Sequence, residues 1–226
     1  MDVRRAAIVG ARAVLVLWLA GVAHAVGLVS LPLLNLDREG TIPTAFSGAL
    51  LLWAATAAFV AAARGAPKPR SLRVVGVVLA FMALDEVLRL HEAIDSAVNF
   101  DWQVLFLPLV VVAVVGWAGV LRSIRNTTAR AAWIGGAACW GVSQVLEVWE
   151  WDGRLRPGSL GGGQSASEVE RELGEPAYLA KMLPEELLEL SGSLLFSLVL
   201  LYLARKAASA QPGRASRQAR PTEAVG

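Results

Sequence analysis

Six long apolar runs constrain this chain more than any other feature: Ala13–Leu34, Thr44–Ala63, Leu72–Leu90, Trp102–Leu121, Ala131–Trp149 and Glu185–Leu203. A helix needs about 20 apolar residues to cross a bilayer, and each run is close to that length. Leu and Ala dominate them, and the alternation of a half-buried strand is absent, so the runs read as helices. In hydrocarbon the backbone must satisfy its own hydrogen bonds, which a helix does by itself. The expected fold is all-α: a polytopic membrane bundle of six transmembrane helices. Composition agrees, with 55% hydrophobic and 18% charged residues against about 45–50% and 25% in an average domain. That balance excludes a disordered chain and argues against an ordinary soluble domain. Trp102, Trp133, Trp149 and Trp151 fall at run ends, where amphipathic rings favour the headgroup layer.

Orientation follows from Lys and Arg in the short connections. Arg4, Arg5 and Arg12 precede or open the first run, and Arg64, Lys68, Arg70 and Arg73 join the second to the third. Arg122, Arg125 and Arg130 join the fourth to the fifth, and Arg205, Lys206, Arg214, Arg217 and Arg220 follow the sixth. These take up most of the 21 basic residues, with only Asp2 and Glu223 of the 19 acidic residues beside them. That side is the cytoplasm, so both termini are expected inside a multi-pass protein of the plasma (inner) membrane. Residues 1–204 form the membrane domain, with a Gly-rich outer loop and a short surface helix within 150–184. Ser165-Ala166-Ser167-Glu168 reads as a capping box. Tyr178, Leu179, Met182 and Leu183 are expected along the membrane surface before Pro184 opens the last span. Residues 205–226 read as a disordered tail. Arg4-Arg5 ahead of Ala23-His24-Ala25 also resembles a cleavable signal peptide. The run continues to Leu34, however, so a retained first helix is expected.

The acidic residues carry the functional argument. On the third helix Asp85, Arg89, Glu92, Ser96 and Asn99 recur at steps of four and three, a continuous polar stripe if the helix is straight. Glu86 lies on its shoulder. Gly136, Trp140, Ser143, Glu147 and Glu150 keep the same rhythm on the fifth helix, and Glu186, Glu189, Ser193 and Ser197 on the sixth. Charge facing lipid costs a few kcal/mol, so the three stripes are expected to pack together. At 1.5 Å per residue Asp85 lies roughly 18 Å beyond Arg73, and Glu147 roughly 26 Å beyond Arg130. The carboxylates therefore converge in the outer half of the bilayer.

Simpler explanations exist for some of them. Glu185 and Glu186 complement a helix dipole. Asp85 and Glu86 are in reach of Arg89. Glu92 and Glu150 read as solvated interface residues. Glu147 and Glu189 are the hardest to account for, although protonated carboxyls joining helices remain an alternative.

So many carboxylates in one low-dielectric site need protons or a cation. One cysteine, Cys139, and two histidines, His24 and His91, exclude an intrachain disulfide, a cysteine zinc cage and a His-rich centre. An oxygen-rich set suits Mg, Ca, Mn or Fe as a divalent cation. Glu147, Glu189, Glu150, Glu186 and Glu92 are the candidate metal ligands. Asp85 and Glu86 are candidates for a ligand or the general base, and Arg89 the group that holds a phosphate or orients a carboxylate. The expected function is action on a lipid or lipid-linked substrate at the outer leaflet. A cation- or proton-coupled transporter and a non-catalytic membrane assembly partner stay open beside it. Membrane lipids are the expected partners, self-association is left open, and nothing suggests nucleic acid.

Leu84-Asp85-Glu86 followed by His91-Glu92, with the later Glu185-Glu186, Glu189 and Gly192, resembles a set of uncharacterised bacterial polytopic membrane proteins. These pair a Leu-Asp-Glu…His-Glu segment with a late Glu-Glu-x-x-Glu segment. The resemblance covers two short segments and implies a common architecture. The ceramidase-like membrane hydrolases do not fit, because this chain lacks their His-x-x-x-His pair.

Overall fold

A computed structural model describes residues 2–36, 40–90, 102–149 and 175–210. These residues form six α-helices and one 3-10 turn, with no strand among them. The helices are α1 (Val3–Ala25), α2 (Ile42–Ala63), α3 (Pro69–Leu88), α4 (Trp102–Leu121), α5 (Thr127–Trp149) and α6 (Glu175–Ser209). Val3–Ala25, Ile42–Ala63 and Ala177–Ser209 are long and apolar enough to cross a membrane, and Phe106–Leu121 is a shorter apolar helix. The chain is therefore a membrane-compatible helical protein. In α3 the basic residues Arg70 and Arg73 and the acidic pair Asp85 and Glu86 dilute the apolar character.

The first helix starts and stops earlier than the apolar run Ala13–Leu34 suggests. Asp2 caps it, its carboxylate accepting from the Arg4 N–H at 3.3 Å. At the other end Gly27 takes the left-handed conformation at φ 74°, and the Leu28 N–H bonds back to the Ala23 carbonyl at 2.9 Å. That closes the helix as a glycine stop does, and Pro32 then opens the 3-10 turn Pro32–Leu34. Hydropathy alone registers none of these signals. His24 lies in the last turn of α1, where its Nδ1 is 3.1 Å from the Val29 carbonyl.

A second correction concerns the end of the chain. Where a new span was expected to open at Pro184, α6 runs unbroken through it for 35 residues. At 1.5 Å per residue that is roughly 50 Å, well beyond a hydrocarbon core of about 30 Å. Tyr178 and Met182 are buried against Leu36, with Trp18, Ala25, Leu179 and Leu183 around them. Trp18 Nε1 donates to the Leu183 carbonyl at 2.8 Å, tying α1 to the proline turn. Tertiary packing thus stabilises a turn that Pro184 weakens by removing one backbone donor. The helix also passes the expected tail boundary at 204/205. The expected outer loop, its capping box and residues beyond 210 lie outside the described residues.

Packing centres on α2 and α6. Helix α2 packs on α3 and α6, α5 and α1 pack on α6, and α4 packs on α3. Gly10 faces Leu194 and Trp18 reaches Leu183, so α1 and α6 run antiparallel. Phe46 and Leu50 pack with Leu190 and Leu194, while Ala54 to Ala62 pack with Val199 to Ala207, so α2 and α6 run parallel. Gly48 against Val87 and Gly76 against Phe59 make α2 and α3 antiparallel. This alternation gathers Arg4, Arg5, Arg64, Lys68, Arg70, Arg122, Arg125, Arg130, Arg205 and Lys206 at one end of the bundle. The acidic helix segments lie toward the other.

Candidate functional site

A cavity of about 710 Å³ opens between α3 and α4 on one side and α5 and α6 on the other. Its polar wall combines Asp85 and Glu86 of α3, Gln144 of α5, and Glu185, Glu186 and Glu189 of α6. Thr44 of α2 and Leu36 of the preceding connection complete that end. The remaining wall is aromatic and aliphatic, with Phe81, Phe106, Trp117, Trp133, Trp140 and Phe196 prominent.

Local structure positions each group. Phe81 stands one turn before Asp85 and meets Phe106 edge to face, ring centroids 5.3 Å apart. Trp140 stands one turn before Gln144. Its indole lies against Gly192, where any added Cβ would collide with it, so α5 and α6 approach closely at that level. Trp117 and Trp133 bridge α4 and α5 reciprocally, each indole donating to the other's backbone carbonyl, at 3.4 and 3.2 Å. Trp133 also packs edge to face on Phe196 at 5.0 Å. On α6, Ser197 Oγ bonds the Leu50 carbonyl of α2 and the Ser193 carbonyl, both at 2.8 Å.

The structure brings together Asp85, Glu86, Glu186 and Glu189, all half-buried on the cavity wall. Glu185 is there too and pairs with Lys181 one turn earlier at 3.3 Å. The stripe expected to run on through Arg89 to Asn99 is cut. Helix α3 ends at Leu88, and Arg89 caps it in the left-handed conformation at φ 57°. The Arg89 N–H bonds to the Asp85 carbonyl at 2.7 Å, and its side chain is exposed. The side chain of Glu147, and all of His91, Glu92 and Glu150, lie outside the described residues. Helix α3 packs on α2 and α4, and its Asp85 and Glu86 line the cavity together with residues of α5 and α6.

Among the described residues no three His, Cys, Asp or Glu side chains come close enough to share a metal ion. Of the candidate metal ligands, only Glu186 and Glu189 have described side chains.

Sequence reasoning missed several participants. Thr44 belongs to a Thr41, Thr44, Ser47 series at steps of three, buried at the cap and first turns of α2. Its signal is that spacing in a run with no formal charge. Gln144, one turn before Glu147, was readable from the same periodicity. Phe81 and Phe106 give no such signal, because an aromatic residue in an apolar helix has the same pattern whether it faces lipid or a cavity.

Fold and cavity together define a membrane-compatible helical protein with an acid-walled cavity among its described residues. Residues 6–204 match the family described as Domain of unknown function (DUF8692), and the chain belongs to that family. No curated protein and no solved structure matches it.

Proposed function

We propose that this protein is a multi-pass plasma-membrane protein that binds a lipid or lipid-linked amphiphile from the outer leaflet and acts on its head group. The head would lie among Asp85, Glu86, Glu186 and Glu189, and the chain along the aromatic wall. One observation carries this reading: a single cavity with carboxylates on part of its lining and bulky apolar groups on the rest. Its volume is in the usual range for small-molecule sites, about 300–1,000 Å³. The gathering of basic residues at the opposite end supports placing the acid end outward. A chemical step would use Asp85 or Glu86 as general base. In a metal-dependent version, Glu186 and Glu189 with Glu147 would hold a divalent cation that polarises a phosphoryl or carbonyl oxygen.

The test uses Gly141, which lines the cavity and has open space where a Cβ would project. Lipid extracts of detergent-purified wild type, analysed by mass spectrometry, should contain a retained amphiphile. Gly141→Phe should lose it while the protein stays monodisperse. Equal retention by both proteins, or none by either, would overturn the reading. Elemental analysis of the same samples separates a metal-dependent enzyme from a metal-free binding protein.

A further inference from the structure

The cavity has a floor, and its depth limits what can lie in it. Resting on the amphiphile reading, we infer that the protein selects its ligand by chain length, taking an extended alkyl chain of about twelve carbons whose end abuts a plate of aromatic rings. Toward the basic end the last lining residues on the four walls are Val75 of α3, Trp117 of α4, Trp133 of α5 and Phe196 of α6. Contacts join them across the bundle. A Cβ on Gly116 would collide with Val74 and crowd Val75, so α3 and α4 touch beside Trp117. The Trp117 and Trp133 indoles donate to each other's backbone carbonyls, and the Trp133 and Phe196 rings meet edge to face. About one turn further toward the basic end, Leu72, Val120 and Leu200 are fully buried in the closed core.

The polar wall sets the other end. Asp85 stands ten residues from Val75 on α3, and Glu186 ten residues from Phe196 on α6. Both walls are therefore roughly 15 Å deep at 1.5 Å per residue. A C–C bond of about 1.52 Å at a tetrahedral angle advances an extended chain by about 1.25 Å per methylene. With its head level with Asp85 and Glu186, a chain of about twelve carbons reaches the plate. A longer one must buckle or press on rings that are tied by hydrogen bonds and backed by the core, and a packed interior resists added methylenes. The limit is steric and holds whatever the charge of the head group.

The experiment uses the full chain in nanodiscs of zwitterionic lipid. The probes are straight-chain alkanols of about 8 to 18 carbons, a range that brackets the calculated depth, each with bromine on its last carbon. Trp117 and Trp133 at the floor report arrival of the bromine by quenching. Affinity is expressed relative to the probe's concentration in the bilayer. Lipid tails are as apolar as the cavity wall, so the chain-length dependence then reads fit rather than hydrophobic transfer. Affinity should hold or rise up to about twelve carbons and fall several-fold by about sixteen. Ala113 and Ala137 line the cavity one turn above Trp117 and Trp133. Ala113→Phe and Ala137→Phe raise the floor by about 6 Å, so each should move the break to chains shorter by about four to five carbons. Retained binding of the shortest probes reports an intact fold. Phe196→Ala should move the break to longer chains. An affinity that does not fall up to the longest probe would place the chain end between α4 and α5 in lipid and overturn the length limit. A break at the same length in wild type and all three variants would overturn it too, and either result leaves the amphiphile reading standing. Absence of saturable quenching at every length would defeat the amphiphile reading itself.

Discussion

The two ends of the bundle are packed in opposite ways. Toward the basic end, Ala54, Ala55, Ala58 and Ala61 of α2 share one closed core with Leu72, Val75 and Leu79 of α3 and Val199, Leu200 and Leu203 of α6. Toward the acid end, α3 and α4 stand apart from α5 and α6, and the space between them is the cavity. Lipid tails are as apolar as leucine, so membrane helices associate through close packing and hydrogen bonds rather than through hydrophobic burial. Alanine lets backbones approach, and that end closes. Carboxylates, a glutamine and several large rings cannot interdigitate in that manner, and the other end stays open. Stability is thus concentrated at one end and room for a ligand at the other, on the same helices.

Trp133, with Val75 and Leu79, lies on the border between the two, belonging to the closed core and lining the cavity as well. Trp133→Ala should produce the largest loss, about 3–5 kcal/mol as for other buried Trp truncations, read as a fall in thermal midpoint in detergent. A loss as small as that of a surface substitution would remove the border. Next, the same ring added at each end should have opposite consequences. Ala58 is fully buried, so Ala58→Phe should cost about 1–3 kcal/mol by overpacking. Gly141→Phe should leave the midpoint nearly unchanged. Equal destabilisation by the two would break the comparison.

Ser197 joins α2 to α6 near the boundary, bonding the Leu50 carbonyl. Ser197→Ala should cost about 1 kcal/mol or less, the usual size of an interhelical hydrogen bond in lipid. Double-mutant analysis with Ala58→Phe would show whether the two sites report on one interface. The smallest effect is expected at Glu185, which already has Lys181 as an i,i+4 partner. Glu185→Gln should change stability by about 0.3–0.5 kcal/mol. Glu189→Gln should alter ligand retention more than Glu185→Gln does, and the reverse order would shift the head group toward the start of α6.

Much of the helical content was legible in advance. The second run, Thr44–Ala63, and α2 (Ile42–Ala63) end at the same residue, because an uninterrupted apolar segment closed by Arg64 and Gly65 allows little else. The first run was misplaced because its apolar stretch continues past the point where the backbone can stay helical. Gly27 and Pro32 decide that point, and hydropathy is insensitive to both. The opposite error arose at Pro184, where a local breaker was overridden by Trp18 and by the burial of Tyr178 and Met182. The acids of α3 and α6 were found by periodicity. Their separation across an open space was not, since periodicity gives a direction around a helix and no distance between helices.

By itself, the sequence determined that this chain is helical and membrane-compatible, that its basic residues segregate from its acidic ones, and which α3 and α6 faces carry carboxylates. Those properties depend on composition and on a period of 3.6 residues, both local quantities. Only the tertiary structure decided that α2 and α6 form the centre, that α3 stops at Arg89, and that acids of α3 and α6 line one cavity together with aromatic rings. These depend on how closely each pair of helices can approach. Side-chain size on both partners sets that distance, and no single segment contains the information.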